Sequence, residues 1–265
     1  MSYYTVKPQQ ELNGKTWLYS IGEGGHVYSY LLIGDTSSLL YDTGFGMGDL
    51  KGEVKKIIGD MPLEVVLSHG HIDHVNGANQ FDKAWISPRD KELALRHSSK
   101  TSKQRMVDGL GGKYHEGFDP EAYVHSGIGD LLDLDDNKVF ELGGITTSII
   151  PMEGHTAGSV GLLIKEHDIL LVGDAANGHI WMFLEESLPM SVYINMLKRM
   201  LDVDFKSFYY GHSDKLFAKA EFEKFLRAAQ TVDISKSNPY PRFPELGGMI
   251  YSSGEADVIF NPKKL

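Results

Sequence analysis

Cysteine is absent from this 265-residue chain. Without thiol groups the protein can form no disulfide, can hold no metal ion by thiolate and can use no cysteine nucleophile. A metal centre, if the chain builds one, must therefore use histidine and carboxylate side chains. The lack of disulfides also fits a reducing compartment, and we expect a cytoplasmic protein.

Long apolar runs and a basic charge excess are also missing. No run approaches the ~18 consecutive apolar residues of a membrane span, and the opening segment MSYYTVKPQQELNGKTW lacks the apolar stretch of a secretory signal. The formal net charge of −10 disfavours binding to nucleic acid, which needs lysine- and arginine-rich surfaces. We therefore expect a small-molecule substrate and no nucleic-acid or membrane partner. The oligomeric state is left open, a homodimer included.

Short β-rich runs and amphipathic helical segments alternate along the chain. A helix is predicted after Asp49 through GEVKKIIGD, and a hairpin around Ser253-Gly254. Two roughly similar halves, each with strands followed by a helix, predict an α/β fold: a four-layer αββα sandwich of two mixed β-sheets with helices outside. Strands are predicted at 16–21, 27–33, 38–42, 63–67, 84–86, 138–142, 145–151, 159–165, 168–173 and 207–211. Further helices are predicted at 73–81, 88–97, 188–201 and 213–230, the last capped by Ser213.

Residues 98–135 depart from this alternation. They contain the sequence GLGG at 109–112 and carry no clear strand signal. Long irregular segments inside compact domains are usually functional. We therefore predict a single domain over residues 1–265, with a partly helical insertion or lid at 98–135.

Histidine and aspartate side chains directly follow several of the predicted strands. The run LEVVL leads into SHGHIDH, a segment that combines three histidines with one aspartate. Loops converge at the carboxyl ends of strands in open α/β sheets, so these side chains can meet in one crevice. Neutral imidazole and carboxylate are good ligands for zinc and similar first-row ions. The side chains concerned are His69, His71, Asp73, His74, His155, Asp174 and His212, with Asp42 at the end of SLLY.

These ligand types suffice for a close pair of divalent ions, ~3.5–4 Å apart. The one-residue gap in the HxH pair lets both imidazoles turn to one centre, whereas the adjacent Asp73 and His74 must point in different directions. Two Zn²⁺ ions are expected, with Fe²⁺ or Mn²⁺ as alternatives. The first centre is predicted to use His69, His71 and His155, the second Asp73, His74 and His212, with Asp174 bridging them.

The segment SHGHIDHVNG resembles the HxHxDH signature of the metallo-β-lactamase superfamily. Further segments follow in that family's order: YDTG at 41–44, GHTAGS at 154–159, VGDA at 172–175 and GHS at 211–213. The resemblance extends from about residue 16 to 230. It implies two bound metal ions, held by the residues predicted above, and hydrolysis of esters, thioesters, lactones, lactams or phosphodiesters. It also implies that Asp42 supports a ligand through a hydrogen bond.

The expected mechanism uses a hydroxide held by both metal ions as the nucleophile, because bound water loses a proton near neutral pH. Asp73 and Asp174 are the predicted catalytic residues. Asp73 would ligate the second ion and orient or deprotonate the attacking water. Asp174 would fix the spacing of the two ions.

The substrate is less sharply indicated than the reaction class. With no cysteine ligand and no signal segment, β-lactam hydrolysis is disfavoured as the main role, and the pattern lies nearer to glyoxalase II and the lactonases. We expect cleavage of an ester, thioester or lactone bond. The alternatives are a phosphodiesterase or β-lactam hydrolase on the same site, or, in a different class, an iron-binding redox protein.

Aromatic residues near the motifs suggest a pocket wall for a partly apolar acyl group, although ordinary core packing explains them equally well. The remaining histidines, among them His26 and His97, lack the ordered context of the ligand set, and an ordinary surface or core position is favoured for them. The predicted pocket residues are Tyr114, His115 and Phe118 in the lid, and Trp181 and Phe183 after Asp174.

Overall fold

The larger of two facing sheets has seven strands, joined in the order in which they occur in the chain. The computed structural model describes residues 3–12 and 14–265. The first four strands pair antiparallel and the last four pair parallel. The strands are β1 (Tyr4–Leu12), β2 (Lys15–Glu23), β3 (Val27–Ile33), β4 (Ser38–Tyr41), β5 (Leu63–Val66), β6 (Lys83–Ile86) and β7 (Asp130–Asp133).

The second sheet has six strands and packs face to face on the first. It consists of β8 (Val139–Glu141), β9 (Thr146–Pro151), β10 (Val160–Ile164), β11 (Ile169–Leu171), β13 (Ser207–Tyr209) and β14 (Phe217–Ala218). β11 and β13 pair parallel, and the other neighbours pair antiparallel.

Two-residue alternation along the strands explains the layers. On β4, Leu39 contributes to the core between the sheets, whereas Leu40 points outward to the helix layer. On β11, Leu171 points inward and Leu170 outward. Both faces of these strands are apolar because both are covered. The four-layer αββα arrangement with helices outside is confirmed.

The helices lie on the outer faces or between consecutive strands. Leu50 and Val54 of the first helix pack on the larger sheet, while Met196 and Phe222 belong to the cluster on the outer face of the second. No helix in the described part of the chain is both long and apolar enough to cross a membrane. The helices are α1 (Leu50–Ile58), α2 (Ile72–Val75), α3 (Lys91–His97), α4 (Lys100–Gly109), α5 (Pro120–His125), α6 (Met190–Asp202) and α7 (Glu221–Gln230).

A third, four-stranded sheet was not predicted. It contains β12 (His179–Met182), β15 (Asn238–Pro239), β16 (Met249–Ser252) and β17 (Asp257–Phe260), in the order β12-β17-β16-β15. β16 and β17 form the hairpin expected around Ser253-Gly254. β12 pairs parallel with β17, a partner distant in sequence, which is why local pattern did not reveal it.

Two predicted helices are shorter than expected. The helix predicted at 213–230 begins only at Glu221, because Phe217 lies in edge strand β14 and packs on Phe208, with ring centroids 5.6 Å apart. The helix predicted at 73–81 is the short α2 followed by a 3-10 turn at Ala78–Gln80. Gly77 separates these two turns where the chain packs on Thr43: a Cβ on Gly77 would lie 2.2 Å from the Thr43 carbonyl oxygen.

The segment 98–135 contains α4, α5 and strand β7, which was not predicted and extends the larger sheet beside β6. A buried lysine of α4, Lys103, forms hydrogen bonds with the end of α5. Its Nζ donates to Oγ of Ser126 at 2.7 Å and to the carbonyl oxygen of Gly127 at 2.6 Å. Val107 and Tyr123 form a small apolar cluster with Met47. Movement of this segment as a lid stays a prediction.

Candidate metal centre

The residues predicted as ligands meet where strand ends of both sheets face one another. His69 and His71 lie in the loop after β5, and Asp73 and His74 lie on α2. The second sheet contributes the rest from three loops: His155 follows β9, Asp174 follows β11 and His212 follows β13.

Three imidazoles converge in the first half of the site. Nδ1 of His71 lies 2.9 Å from Nε2 of His69 and 2.9 Å from Nε2 of His155. On the outer side, Nε2 of His71 donates to the carboxylate of Glu186 at 2.7 Å, and Nδ1 of His155 donates to the Trp181 carbonyl oxygen at 2.7 Å. A neutral imidazole carries one proton, so the inner nitrogen atoms of His71 and His155 present lone pairs.

The third imidazole is oriented in the same way through a serine. Nδ1 of His69 lies 2.9 Å from Oγ of Ser68, and that hydroxyl donates to Asp42 at 2.8 Å. The serine oxygen therefore accepts from His69, whose Nε2 is left bare. Three lone pairs facing one another repel unless a cation lies among them, so this group fits a metal ion.

Burial and neighbouring charges favour the neutral form of two of the three imidazoles, those of His69 and His155. Burial, followed by the charges of His74 and His71, holds the pKa of His69 well below its ordinary value. Burial and then the charge of His71 lower the pKa of His155 to about 4. These rings are therefore neutral at physiological pH, the state in which imidazole binds metals.

The second group combines imidazole with carboxylate. Nδ1 of His74 donates to Asp42 at 2.8 Å, so the buried Nε2 of the neutral ring is bare, and that atom makes no hydrogen bond. Burial opposes the charged ring, but the charges of Asp174, Asp73 and Asp42 outweigh it and raise the pKa of His74 well above its ordinary value, so a metal ion at this atom competes with a proton. Oδ2 of Asp174 lies 3.5 Å from this nitrogen and 3.0 Å from Nε2 of His212, while Asp174 Oδ1 is also buried without a partner. Oδ2 of Asp73 lies 3.8 Å and 3.5 Å from the same two nitrogens. Orphaned acceptors around one point again fit a cation.

A proton can take the place of that cation. Nδ1 of His212 donates to the carbonyl oxygen of His26 at 2.7 Å, which leaves Nε2 facing Asp174. Burial lowers the pKa of His212, but the charge and hydrogen bond of Asp174 outweigh it and raise the pKa to about 9. Metal binding here therefore competes with a proton.

Asp42 adopts a conformation that is rare for an aspartate. Its φ is 66°, in the left-handed region, and its side chain is 1% exposed. The carboxylate accepts from the backbone N–H of Ser68 at 2.7 Å, from the Ser68 hydroxyl and from His74. Strain of this kind costs about 1–3 kcal/mol and persists where the surroundings hold it.

Two carboxylates near the ligands were missed: Asp90, which is buried, and Glu186, which is half-buried. Asp90 accepts from the backbone N–H groups of Gly70 and Gly158 and from Thr156 Oγ1, at 2.9, 2.7 and 2.6 Å, and so ties the HxH loop to the His155 loop. Glu186 holds His71, as described above. Both lie in charged segments that read as solvent-exposed helix or loop, so no local pattern distinguishes them.

Two of the histidines outside the predicted ligand set lie against the ligands. The ring of His97 stacks on His71 with centroids 5.2 Å apart, and the carbonyl oxygen of His26 orients His212. The contact of His26 uses only its backbone carbonyl, so the identity of the side chain at this position could not have predicted the contact.

The model for the metallo-beta-lactamase superfamily matches residues 22–212. The chain belongs to this superfamily. A curated relative, the acyl-coenzyme A thioesterase MBLAC2 of Homo sapiens, is 25% identical over 193 residues, covering 68% of this chain and 69% of its own length. The atrochrysone carboxyl ACP thioesterase of Aspergillus fumigatus is 22% identical over 191 residues, covering 69% of this chain and 50% of its own length.

Solved structures share the fold. A metallo-beta-lactamase superfamily protein from Sulfolobus tokodaii superimposes with a TM-score of 0.54 over 82% of this chain and 85% of that chain, at 18% sequence identity. At that identity the likeness establishes the fold alone.

The predicted pocket residues of this superfamily member fall into two separate places. Tyr114, His115 and Phe118 pack together in segment 98–135, and His115 stacks on Tyr3 with ring centroids 3.9 Å apart. His115 lines a cavity of about 310 Å³ together with Met47. None of the predicted metal ligands lines that cavity.

Trp181 contacts the ligand set through its backbone, since its carbonyl oxygen holds His155, and Phe183 packs on the Trp181 ring. Their rings are 5.7 Å apart and belong to a larger aromatic cluster with Tyr240 and Phe243. The guanidinium of Arg242, which is exposed, lies 5.3 Å from the ring centroid of Trp181. Tyr240, Arg242 and Phe243 lie in the connection between β15 and β16, beyond the region matched by the family model.

Proposed function

We propose that the protein is a metal-dependent hydrolase that cleaves the thioester bond of an acyl compound. The observation that carries this proposal is the convergence of imidazole nitrogens and carboxylate oxygens in one site, among them an Asp174 oxygen that is buried without a partner. Membership of a hydrolase superfamily and similarity to thioesterases support it.

The residues present fit two divalent ions, with Zn²⁺ favoured and Fe²⁺ or Mn²⁺ as alternatives. When bound, such ions polarise a scissile carbonyl and lower the pKa of a water molecule. The first ion would be held by His69, His71 and His155, the second by Asp73, His74 and His212, with Asp174 between them.

Asp73 is the residue that we assign to proton transfer. Its side chain is 21% exposed, the highest fraction among the carboxylates of the site, so an incoming water can reach it. The water oxygen forms a bond to the acyl carbon, the carbon–sulfur bond breaks, and the proton accepted by Asp73 passes to the leaving sulfur. The products are a carboxylic acid and a thiol.

An acyl thioester with an anionic carrier suits the surroundings of the site. The aromatic cluster around Trp181 supplies apolar surface for an acyl group, and Arg242 supplies a cation. In the described residues no carboxylate lies within ion-pair distance of Arg242, so its charge is open to a ligand. Glutathione, coenzyme A and acyl-carrier thioesters share this chemistry.

A substrate panel tests the proposal. We would assay acyl thioesters, aryl esters, lactones, a β-lactam and a phosphodiester with the full chain loaded with Zn²⁺, Mn²⁺ or Fe²⁺. Because the chain lacks cysteine, a thiol reagent reports released thiol without background from the protein. Thioesters are expected to turn over fastest, and Asp73→Ala to abolish turnover, while the exposed Asp82→Ala retains it. A metal-loaded protein that leaves thioesters intact would contradict the assignment.

A further inference from the structure

The loop at 183–188 holds two ligands from outside the metal cluster. Glu186 accepts the Nε2 hydrogen of His71 at 2.7 Å, and the hydroxyl of Ser187 donates to the backbone carbonyl of His155 at 3.0 Å. This loop belongs to neither of the two large sheets. One end of its backbone is held by Leu188, whose N–H donates to the Gly154 carbonyl oxygen at 2.8 Å, and a further contact is needed around Glu186 if that side chain is to stay on His71.

One lysine from a distant part of the chain holds that backbone. Nζ of Lys264 donates to the carbonyl oxygens of Glu185 and Ser187, the latter at 2.7 Å. These two carbonyls flank Glu186 on either side. The Glu185 carbonyl belongs to the peptide group that precedes Glu186, and the Ser187 carbonyl to the peptide group that follows Ser187. An ammonium bonded to both restricts the backbone on each side of Glu186, and with it the direction of the Glu186 Cα–Cβ bond.

Lys264 is itself anchored to the third sheet. It ends the 3-10 turn Pro262–Lys264, which directly follows β17 and is capped by Asn261 Oδ1 on the Lys263 N–H at 3.0 Å. The backbone N–H of Asn261 donates to the Met182 carbonyl oxygen at 3.3 Å. Within the described residues, no carboxylate lies within ion-pair distance of Lys264 Nζ, so its hydrogen bonds go to the loop alone.

We propose that Lys264 is a positioning residue of the metal centre. It acts through Glu186, which keeps the proton of His71 on Nε2 and turns the bare Nδ1 toward His69 and His155. The third sheet thereby controls the geometry of a site built by the other two. The proposal rests on the proposed function in so far as this centre binds metal.

The positioning role requires a side chain at position 264 that donates hydrogen bonds to both carbonyl oxygens. A methionine in place of Lys264 has a similar length but no donor, so both carbonyls would turn to water and Glu186 would lose its fixed direction. Arginine retains charge and several donors and is expected to restore part of the effect. The neighbouring Lys263 is exposed and serves as a matched control.

The first test uses the metal-free full-length protein, so that it does not depend on activity. Histidine-ring nitrogen NMR is expected to show His71 with its proton fixed on Nε2 in the unaltered chain and in Lys263→Met. In Lys264→Met the His71 signals are expected to broaden or to report a mixture of the two neutral tautomers, one with the proton on Nδ1 and one with it on Nε2. Unchanged His71 signals in Lys264→Met would overturn the proposal.

The second test measures Zn²⁺ affinity by competition with a chelator. Outer hydrogen bonds to metal-bound histidines are worth about 10- to 100-fold in affinity, and we expect Lys264→Met to weaken binding about 10-fold. Glu186→Ala should weaken it at least as much. The double variant should resemble Glu186→Ala alone, because both act on one contact. Additive losses would contradict action through Glu186.

Two outcomes separate this proposal from the proposed function. If the unaltered protein binds none of Zn²⁺, Mn²⁺ and Fe²⁺, the proposed function fails, while the NMR result still decides the role of Lys264. If Lys264→Met does not fold, as judged by circular dichroism, Glu186→Ala must reproduce the His71 change and Lys264→Arg must bind Zn²⁺ more tightly than Glu186→Ala. Failure of either comparison would refute the positioning role.

Discussion

At the scale of single residues, Asp42 determines which nitrogen of His74 is bare. It accepts the Nδ1 hydrogen, and because a carboxylate cannot donate, His74 Nε2 must face the metal site. Asn in this position tolerates the left-handed φ of 66°. However, its amide group can donate to Nδ1 and so place the proton on Nε2.

Asp42→Asn is therefore expected to fold but to lose metal from the second group. We predict a loss of about 10- to 100-fold in affinity there, measured as metal equivalents per chain after dialysis. The exposed Asp60→Asn is the matched control. Retention of full metal content by Asp42→Asn would show that the hydrogen bond to His74 does not set its protonation.

Glu23 is a buried carboxyl group whose titration affects stability. It is 2% exposed and accepts from the backbone N–H of Met47 at 2.8 Å and of Gly46 at 3.2 Å. Burial raises its pKa to about 7, even though these N–H groups favour the charged form. The folded state thus binds a proton that the unfolded state releases near pH 4.5, so Glu23 makes stability fall as pH rises from about 4.5 to about 7.

Glu23→Gln should remove this dependence. Between pH 5 and pH 8 the unaltered chain is expected to lose about 2–3 kcal/mol more unfolding free energy than the variant does. Urea unfolding of both proteins at the two pH values, with chelator present, gives this difference. Parallel pH profiles would show that Glu23 does not titrate in this range. The exposed Glu11→Gln should behave like the unaltered chain.

At the scale of elements, buried Lys103 connects helices α4 and α5. Because its Nζ donates to Ser126 and Gly127, removal leaves two acceptors of segment 98–135 without their partner. Lys103→Ala is expected to destabilise the protein by about 1–3 kcal/mol and to open the segment locally. Hydrogen exchange of residues 120–130 should become faster, with Lys113→Ala as an exposed control. Uniform acceleration throughout the chain would argue for global destabilisation instead.

Elements with regular alternation and local partners were predictable. β4 and β11 carry uninterrupted apolar residues because both faces are covered, and the strands were predicted within a residue or two at most ends. β1, β7, β12, β14 and β15 were not predicted. The last four are short, and each depends on a partner outside its own sequence. β1 has nine residues, but it is an edge strand whose polar sequence gives no clear apolar alternation.

The residues of the candidate site also fall into those that could be predicted from the sequence and those that could not. The HxHxDH spacing and the strand ends led to residues that the structure brings together, because local geometry constrains them. Their role as ligands stays a prediction. Asp90, Glu186 and Lys264 could not be predicted from sequence, since each acts through backbone groups or partners far along the chain.

At the scale of the whole molecule, a net charge of −10 repels anionic substrates at long range. The exposed guanidinium of Arg242 beside the aromatic cluster is a local exception. If the substrate is an acyl thioester with an anionic carrier, this cation should contribute to binding and not to bond cleavage. An exposed ion pair is worth up to about 1 kcal/mol.

We therefore predict that Arg242→Ala raises KM for an anionic acyl thioester about 5-fold, the factor that ~1 kcal/mol implies, and leaves kcat unchanged. For an uncharged thioester with the same acyl group, KM should stay within experimental error of the unaltered enzyme. Added salt should reduce the difference between the two substrates, since exposed charges are screened. The exposed Arg105→Ala is the control. An equal rise in KM for both thioesters would mean that Arg242 supports the aromatic cluster and does not recognise charge.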